Sequence, residues 1–495
     1  MGRAGVVAVA LLFATTTPGA PFEVGFAHQH ASMPTRLGPP LDVDKTPNNA
    51  RACGGRDSGG RAVAHLPDGV RVAESDTPQA CLYRTGFHAA EPTLGVTKDG
   101  TIYYQTLDAE VWPAFPVQVI RSKDEGRTWQ DVSPKLGPAN RHFYTEDPYI
   151  YVDEDTGRVF TADYLLPCSE LSYTDDGGTT WISSIVGCDV VDHQTVFSGP
   201  ATEGGLQPVG YPNVVYYCAA DVGLASDSGQ ATCLRSLDGG LTFVRTGEPP
   251  FPALREGQAI PIVDCDGLHG HGVVDRRGFV YLPKGECGQP WLAISRDQGT
   301  TWDRVQVARN GTPTHEASVA VDPAGNIYYT WIGGDRLPYL AVSRNGGKKW
   351  SAPMMIGAPG VNEASLPSIA AGDNGKVALL YMGTTNSPGE PWTVSKYADT
   401  TWNGYVTMTN DALAPRPVFY SAPVNNPKDP LIKGDCGPFR CQAAFDFLDV
   451  VIARDGTPWA SFVDGCFDNA CDHSGQFLRL GEAVVGRLVG GPKLR

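Results

Sequence analysis

Histidine and acidic residues recur at one kind of position along this chain, just before short hydrophobic runs that have the composition of β-strands. Six of the ten histidines take part. Imidazole and carboxyl groups transfer protons near neutral pH and also bind divalent cations. If the strands bring these positions together, the residues predict one acid–base or metal site. Its candidate members are His88 and Glu91; His142, Glu146 and Asp147; Asp192 and His193; His269 and His271; His315 and Glu316; Glu363; Asp446 and Asp449.

Three interpretations suit these residues. The first is an acid–base site on a bound sugar, with catalytic residues His269, His271, His193, Glu91, Glu146 and Glu316. The second is one divalent cation at the same place, held by His269, His271, His315 and Asp147. Alternation in a strand would place His269 and His271 on the same face, as a shared ligand requires. The third is that these groups only hydrogen-bond neighbouring segments and order the structure.

An octapeptide recurs five times at intervals of 48 to 62 residues. Its pattern is S-x-D-x-G-x-T-W, with Thr, Phe, Asn or Lys at single positions of some copies, and it occupies residues 122–129, 174–181, 236–243, 295–302 and 343–350. The Asp carboxylate can accept backbone N–H bonds across a tight turn, and the Gly can adopt a positive φ. The terminal aromatic residue then starts a strand with a large apolar surface to bury. A repeat of this length predicts an array of blades or a solenoid.

The octapeptide resembles the Asp-box, or BNR, repeat of sialidases, sortilin-type receptors and other propellers. The resemblance implies an all-β fold, a β-propeller in which the box joins the third and fourth strands of a blade, away from the active face. We predict seven blades of four antiparallel strands, with six blades as the alternative if one unit is an insertion. The predicted blades cover about 91–130, 146–182, 190–245, 269–304, 315–352, 363–409 and 446–490. Because inner strands begin around the axis, the His and acidic residues are expected at one axial mouth.

Two further features concern the closure of the propeller and the connections between its strands. The segment 61–82, which contains the strand-like residues Val70, Arg71, Val72 and Ala73, is expected to supply the strand that closes it. Long connections at 199–213 and 411–445 interrupt the repeat and are interpreted as insertions, which carry function or vary between proteins.

The N-terminus predicts export. Met1, Gly2 and Arg3 precede an apolar run over 4–14 that fits a signal-peptide core and is too short to span a bilayer. Pro21 disfavours cleavage after Ala20, so Ala27 serves as the boundary, and the exact site stays open. We expect a signal peptide at 1–27, a poorly ordered extension at 28–60 and a single propeller at 61–495, in a secreted, extracellular protein without a transmembrane segment.

The formal net charge of −15 disfavours nucleic acid as a partner, because phosphate backbones are repelled. A cation, a neutral glycan or a protein fits this charge better. The predicted partner is an extracellular glycan or glycoconjugate, and the oligomeric state is left open. Twelve cysteines in an exported chain predict six disulfides between sequence neighbours. The proposed pairs are Cys53 with Cys81, Cys168 with Cys188, Cys218 with Cys233, Cys265 with Cys287, Cys436 with Cys441, and Cys466 with Cys471, where the last four cysteines can instead exchange partners.

For function, the resemblance implies a carbohydrate-active, sialidase-like glycoside hydrolase that acts on extracellular glycans through the axial residues. Sialidases carry an R-I-P motif at the first inner strand, where this chain has Ala90, Glu91 and Pro92. One alternative is a noncatalytic glycan- or protein-binding propeller. The other is a polysaccharide lyase on uronic-acid glycans, whose histidines would act with Tyr144 and Tyr211.

Overall fold

The structure is a computed structural model, and it describes most of the chain from residue 57 onward. The described ranges are 29–31, 53–54, 57–107, 116–136, 141–142, 144–145, 147–165, 168–189, 191–221, 230–252, 268–286, 288–311, 316–389, 394–434, 436, 441, 444, 446–466 and 481–495. The predicted signal peptide at 1–27 lies outside them.

The described strands form seven four-stranded antiparallel blades, which confirms the predicted all-β propeller and excludes the six-bladed alternative. Blade 1 comprises Thr93–Val96, Ile102–Leu107, Val117–Ser122 and Gln130–Asp131. Blade 2 comprises Tyr149–Val152, Val159–Leu165, Cys168–Thr174 and Ile182–Gly187. Blade 3 comprises Val191–Gly199, Val214–Asp221, Gln230–Ser236 and Val244–Arg245. Blade 4 comprises Val273–Val274, Val280–Glu286, Gln289–Ser295 and Asp303–Gln306.

The remaining blades follow the same order. Blade 5 comprises Ser318–Val321, Ile327–Ile332, Pro338–Ser343 and Met354–Met355. Blade 6 comprises Glu363–Ala371, Val377–Thr384, Thr401–Thr409 and Phe419–Pro423. Blade 7 comprises Val450–Ile452, Pro458–Asp464, Gly481–Val489 and the N-terminal strand Gln79–Ala89. Outside this pattern lie the strands Gln29–Ala31, Val63–His65, Lys135–Leu136, Arg141–His142 and Ile432–Lys433, and the short helix Val394–Tyr397.

The ring is closed by an N-terminal strand, as predicted, but by a later one than the sequence pattern indicated. Gln79–Ala89 pairs with Gly481–Val489 and becomes the outermost strand of blade 7. The residues Val70 to Ala73 form only an isolated bridge, between Arg71 and His65. The predicted insertion at 411–445 is also corrected in part, because Phe419–Pro423 within it is the outermost strand of blade 6.

The octapeptides form the turns between the third and fourth strands of blades 1 to 5. In the first copy, Asp124 accepts bonds from the backbone N–H and the hydroxyl of Thr128, at 2.9 and 2.7 Å, and Gly126 has φ 82°. In the first four copies the terminal aromatic residue is buried against the preceding blade, and in the fifth copy Trp350 is partly buried. Trp181 of blade 2, for example, packs with Tyr103 and Val119 of blade 1. Each octapeptide therefore fixes a turn locally and fills the space between two blades.

Four of the predicted disulfides are present: Cys53–Cys81, Cys168–Cys188, Cys218–Cys233 and Cys436–Cys441. The Cys436–Cys441 bond excludes the exchange of partners that the sequence left open. The predicted pairs Cys265 with Cys287 and Cys466 with Cys471 involve residues outside the described ranges. No helix among the described residues is long and apolar enough to cross a membrane.

Candidate functional site

The inner strands of the seven blades contact one another in a closed ring around the axis. All of them begin at the same end of the propeller, which we call the axial mouth. Because strands alternate in direction within a blade, the octapeptide turns lie at the opposite end. The residues that precede the inner strands therefore lie together at the axial mouth, as the repeat pattern predicts.

His193 is the centre of the axial mouth. Its imidazole Nδ1 contacts Glu316 Oε1 of blade 5, and its Nε2 lies 3.5 Å from Asp446 Oδ2, which precedes blade 7. His193, Glu316 and Asp446 are all buried. Side chains from three nonadjacent positions in the sequence thus meet around one imidazole, and we call these three residues the axial clamp.

The backbone at His193 is shaped to present this side chain. The residue has a φ of 53°, in the left-handed region that a non-glycine residue rarely adopts, and it lies in an irregularity of the pairing between Asp192 and Thr195. Its backbone N–H faces Asp192 Oδ1 at 3.0 Å and Asp147 Oδ2 at 3.2 Å. A conformation of this kind costs about 1–3 kcal/mol, and residues that adopt it cluster at active sites and ligand-binding sites.

The clamp places an imidazole beside two acidic side chains in a buried region, where water screens their charges only weakly. Burial favours the neutral imidazole, but Glu316, Asp446 and Asp192 outweigh it and raise the pKa of His193 well above its usual value. Burial raises the pKa of Glu316, against the lowering effect of His193. Burial and the neighbouring Asp192 carboxylate raise the pKa of Asp147 well above its usual value. The mouth therefore combines an imidazolium ion with carboxyl groups that hold protons more tightly than exposed ones do.

His269 and His271 lie on blade 4 beside the clamp, in the segment that precedes the inner strand. The inner strand begins only at Val273, so strand alternation does not apply to them, which corrects the sequence prediction. The glycines between and after them permit close contact with neighbouring blades. A Cβ at Gly270 would stand 1.9 Å from the Ala317 carbonyl oxygen, and one at Gly272 would stand 2.2 Å from the Phe197 ring.

The two histidines have different surroundings. His269 is buried, and its Nδ1 lies 3.0 Å from the Gly270 carbonyl oxygen. His271 is partly exposed and its ring contacts Tyr149 and Phe447, with centroids 4.4 and 5.4 Å away. Burial, followed by the charge of His193, lowers the pKa of His271 to about 3. Burial likewise lowers the pKa of His269 to about 4, so both imidazoles are neutral at pH 7.

The other predicted residues are distributed as follows. Glu91 is buried at the start of blade 1 with a φ of 50°. Glu146 and His315 lie outside the described residues. For the predicted cation, no group of three or more His, Cys, Asp or Glu side chains within the described ranges is arranged to hold a metal ion. The full ligand set, which includes His315, stays a prediction.

Two acidic residues of the expected mouth take other partners. Glu363 receives bonds from Arg336 Nη1 at 2.5 Å and Tyr397 Oη at 2.7 Å, so it links blades 5 and 6. Asp449 accepts bonds from the Val450 N–H, the Leu94 N–H and the Ser368 hydroxyl, at 2.8, 3.4 and 3.4 Å. It therefore joins blades 7, 1 and 6 at the axis. Burial raises the pKa of Asp449 to about 7.

Sequence reasoning missed two residues of the mouth and misplaced one. Gln194 and Phe447 lie beside the clamp, and their adjacency to His193 and Asp446 in the sequence is the only signal that would have found them. Tyr211 was predicted as a partner of the histidines. Tyr211 instead lies in the connection between the first two strands of blade 3, at the end opposite the mouth. Its hydroxyl donates a hydrogen bond to Asp153 of blade 2.

No protein-family model and no curated protein matches the chain. Several solved structures match it. A protein of unknown function from Dyadobacter fermentans is 16% identical with a TM-score of 0.41, over 84% of this chain and 98% of that chain. The GH93 α-L-arabinofuranosidase of Fusarium graminearum is 16% identical with a TM-score of 0.41, over 74% and 98%. The intramolecular trans-sialidase from Ruminococcus gnavus is 14% identical with a TM-score of 0.37, over 83% and 96%. At these identities and TM-scores we infer no function from the matches.

Proposed function

We propose that this chain is a secreted, carbohydrate-active propeller of the Asp-box type that hydrolyses extracellular glycans at its axial mouth. The observation that carries the proposal is the axial clamp, in which three separate blades bring His193, Glu316 and Asp446 together. The four disulfides and the N-terminal apolar run support secretion.

Glycoside hydrolysis needs one carboxyl group that holds a proton and a second carboxylate that activates water or attacks the sugar. Asp147 suits the first role, because burial and the Asp192 carboxylate raise its pKa well above the usual value. Glu316 and Asp446 suit the second, and His193 between them sets their orientation and balances their charge. Asp147 would protonate the glycosidic oxygen as the bond to the anomeric carbon breaks, and a clamp carboxylate would take a proton from the attacking water.

The test is reducing-end release from a panel of purified polysaccharides and oligosaccharides by the secreted protein. Asp147→Asn and Glu316→Gln should each lower the rate by about 10²–10⁴, as the removal of a general acid or base does. Asp322→Asn is the matched control. Asp322 is a buried Asp in a hairpin turn at the opposite end, bound to Asn326 and Tyr328, so this variant should lose stability and keep its activity. Full activity in Asp147→Asn and Glu316→Gln would contradict the proposal.

A second candidate is a noncatalytic glycan-binding propeller. It is favoured by the burial of the acidic groups, since Glu316 is 9%, Asp147 7% and Asp446 1% exposed. The same panel separates the two candidates. Saturable binding by isothermal titration calorimetry without any release of reducing ends would support the binding protein over the hydrolase.

A further inference from the structure

Several buried polar atoms of the axial mouth have no hydrogen bond within the described chain, and two of them are acceptor atoms of neutral side chains. These two are Gln194 Oε1 of blade 3 and His269 Nε2 of blade 4. Gln194 is 2% exposed and His269 is 1% exposed. Buried polar atoms are nearly always hydrogen-bonded, so each unpartnered one needs an explanation.

In each side chain, the hydrogen bond made by the other polar atom determines that the unpartnered atom is an acceptor. The Gln194 amide donates its Nε2–H to the Asp147 carbonyl oxygen, which leaves Oε1 as an acceptor. His269 Nδ1 faces the Gly270 carbonyl oxygen, which can only accept, so Nδ1 carries the proton. Since the pKa of His269 lies near 4, the ring is neutral and Nε2 keeps its lone pair.

The two acceptors belong to adjacent blades at the same end of the propeller. The Gly272 N–H points to the Thr195 hydroxyl at 3.3 Å. The segment that follows His269 therefore contacts Thr195, the residue next to Gln194. The charges of His193 and Asp192 also act on His269, so it lies close to the clamp.

Among the described residues, an anionic ligand group would find few donors beside these two acceptors. His193 is already held between Glu316 and Asp446, and the Lys284 ammonium lies 5.3 Å from the centroid of the Phe251 ring. The formal net charge of −15 opposes the approach of anions as well. Acceptors beside carboxylates instead complement a group that donates hydrogen bonds.

We infer that the glycan places hydroxyl donors against Gln194 Oε1 and His269 Nε2, and that it is therefore a neutral sugar rather than a sialic or uronic acid. This inference rests on the proposed function and adds its substrate class. It reverses the expectation that the sialidase and lyase resemblances carry, because both of those classes act on acidic sugars.

The test is an array of immobilised neutral, sialylated and uronic-acid-containing oligosaccharides, probed with the wild-type protein and with His269→Phe. Wild type should bind neutral glycans only, and His269→Phe should weaken that binding at least tenfold. Its melting temperature should stay the same or rise, because an unpartnered polar group is removed.

His65→Phe is the matched control. His65 is also 1% exposed, but it lies at the outer edge of blade 6 and its Nε2 bonds to the Ser421 hydroxyl at 2.8 Å. This variant should melt at a lower temperature and bind glycans like wild type. If His269→Phe fails to fold, Gln194→Met removes the other acceptor and should give the same tenfold loss.

The outcomes that overturn the inference are distinct. Preferential binding of sialylated or uronic-acid glycans would reject the neutral-sugar inference and leave a carbohydrate-active protein. Wild-type binding of neutral glycans by folded His269→Phe or Gln194→Met would reject the role of the two acceptors. If the protein neither binds nor cleaves any glycan, the proposed function fails together with the inference.

Discussion

The two ends of this propeller use the same acidic side chains in opposite ways. At the octapeptide end, Asp124, Asp176, Asp238 and Asp297 each accept several short bonds, which outweigh burial and lower their pKa values. At the axial mouth, burial dominates and raises the pKa values of Asp147, Glu316 and Asp449. A carboxylate whose hydrogen bonds outweigh its burial stabilises a fold, whereas one whose burial dominates is kept at a cost in stability, as active sites commonly are.

The largest effect is expected from breaking the axial clamp. His193→Gln removes the imidazolium from between Glu316 and Asp446, so both buried side chains lose this positively charged neighbour. The loss should be about 3–5 kcal/mol of unfolding free energy, measured by denaturant titration at pH 6. Because the pKa of His193 is raised by folding, its contribution is complete below about pH 6.5 and declines as the pH rises through the folded-state pKa.

The control for this prediction is the double variant His193→Gln/Glu316→Gln. It also removes the buried Glu316 charge that faces position 193 and should recover part of the lost stability, which a double-mutant cycle measures as coupling. Strict additivity of His193→Gln and Glu316→Gln would show that the two side chains do not interact, and the description of the clamp would be wrong.

The next effect concerns an octapeptide turn. Asp238 accepts bonds from the Thr242 N–H and hydroxyl, the Leu241 N–H and the Ser236 hydroxyl, at 2.9, 2.6, 3.1 and 2.7 Å. Asp238→Ala should therefore cost about 2–3 kcal/mol of unfolding free energy, without loss of glycan hydrolysis or binding. The contribution should be present above about pH 4 and disappear as the pH falls, since folding lowers this pKa. Loss of activity in a folded Asp238→Ala protein would contradict the separation of the two ends.

A smaller effect with the opposite sign is expected at Asp449. Folding raises its pKa from 3.8 to about 7, so the folded state binds a proton that the unfolded state releases, and stability declines between about pH 4 and pH 7. Asp449→Asn should raise the unfolding free energy by about 1–2 kcal/mol at pH 8, a discounted value because the side chain is partly exposed, and change little at pH 4. Melting temperatures at both pH values check this. Equal effects at the two pH values would rule out titration of Asp449 as the cause.

The same contrast explains what the sequence predicted well and what it did not. An octapeptide turn is local, with Asp238 and Thr242 only four residues apart, so its geometry follows from the pattern. The clamp joins His193 to Glu316 and Asp446, and only the order of blades around the axis decides which of the candidate residues meet. Strand alternation at His269 and His271 is wrong for a local reason, because Gly270 and Gly272 contact neighbouring blades and the regular strand begins only at Val273. Tyr211 was misplaced because composition does not tell the two ends of a blade apart.

The smallest effect is a gain of stability in the fifth octapeptide, where Asn345 and Lys349 replace the usual Asp and Thr. Asn345 Oδ1 accepts the Lys349 N–H at 2.8 Å and the Ser343 hydroxyl at 3.1 Å, so the backbone turn is already formed. Asn345→Asp/Lys349→Thr adds the carboxylate and the hydroxyl that bond to each other in the other four turns. The gain should be about 0.5–1.5 kcal/mol by denaturant titration. Asn345→Asp alone is the control and should gain less, since the added oxygen then has no Thr hydroxyl to accept from. If the double variant gains nothing, the Asp–Thr bond is not what stabilises these turns, and the backbone bonds to the first carboxylate oxygen are sufficient.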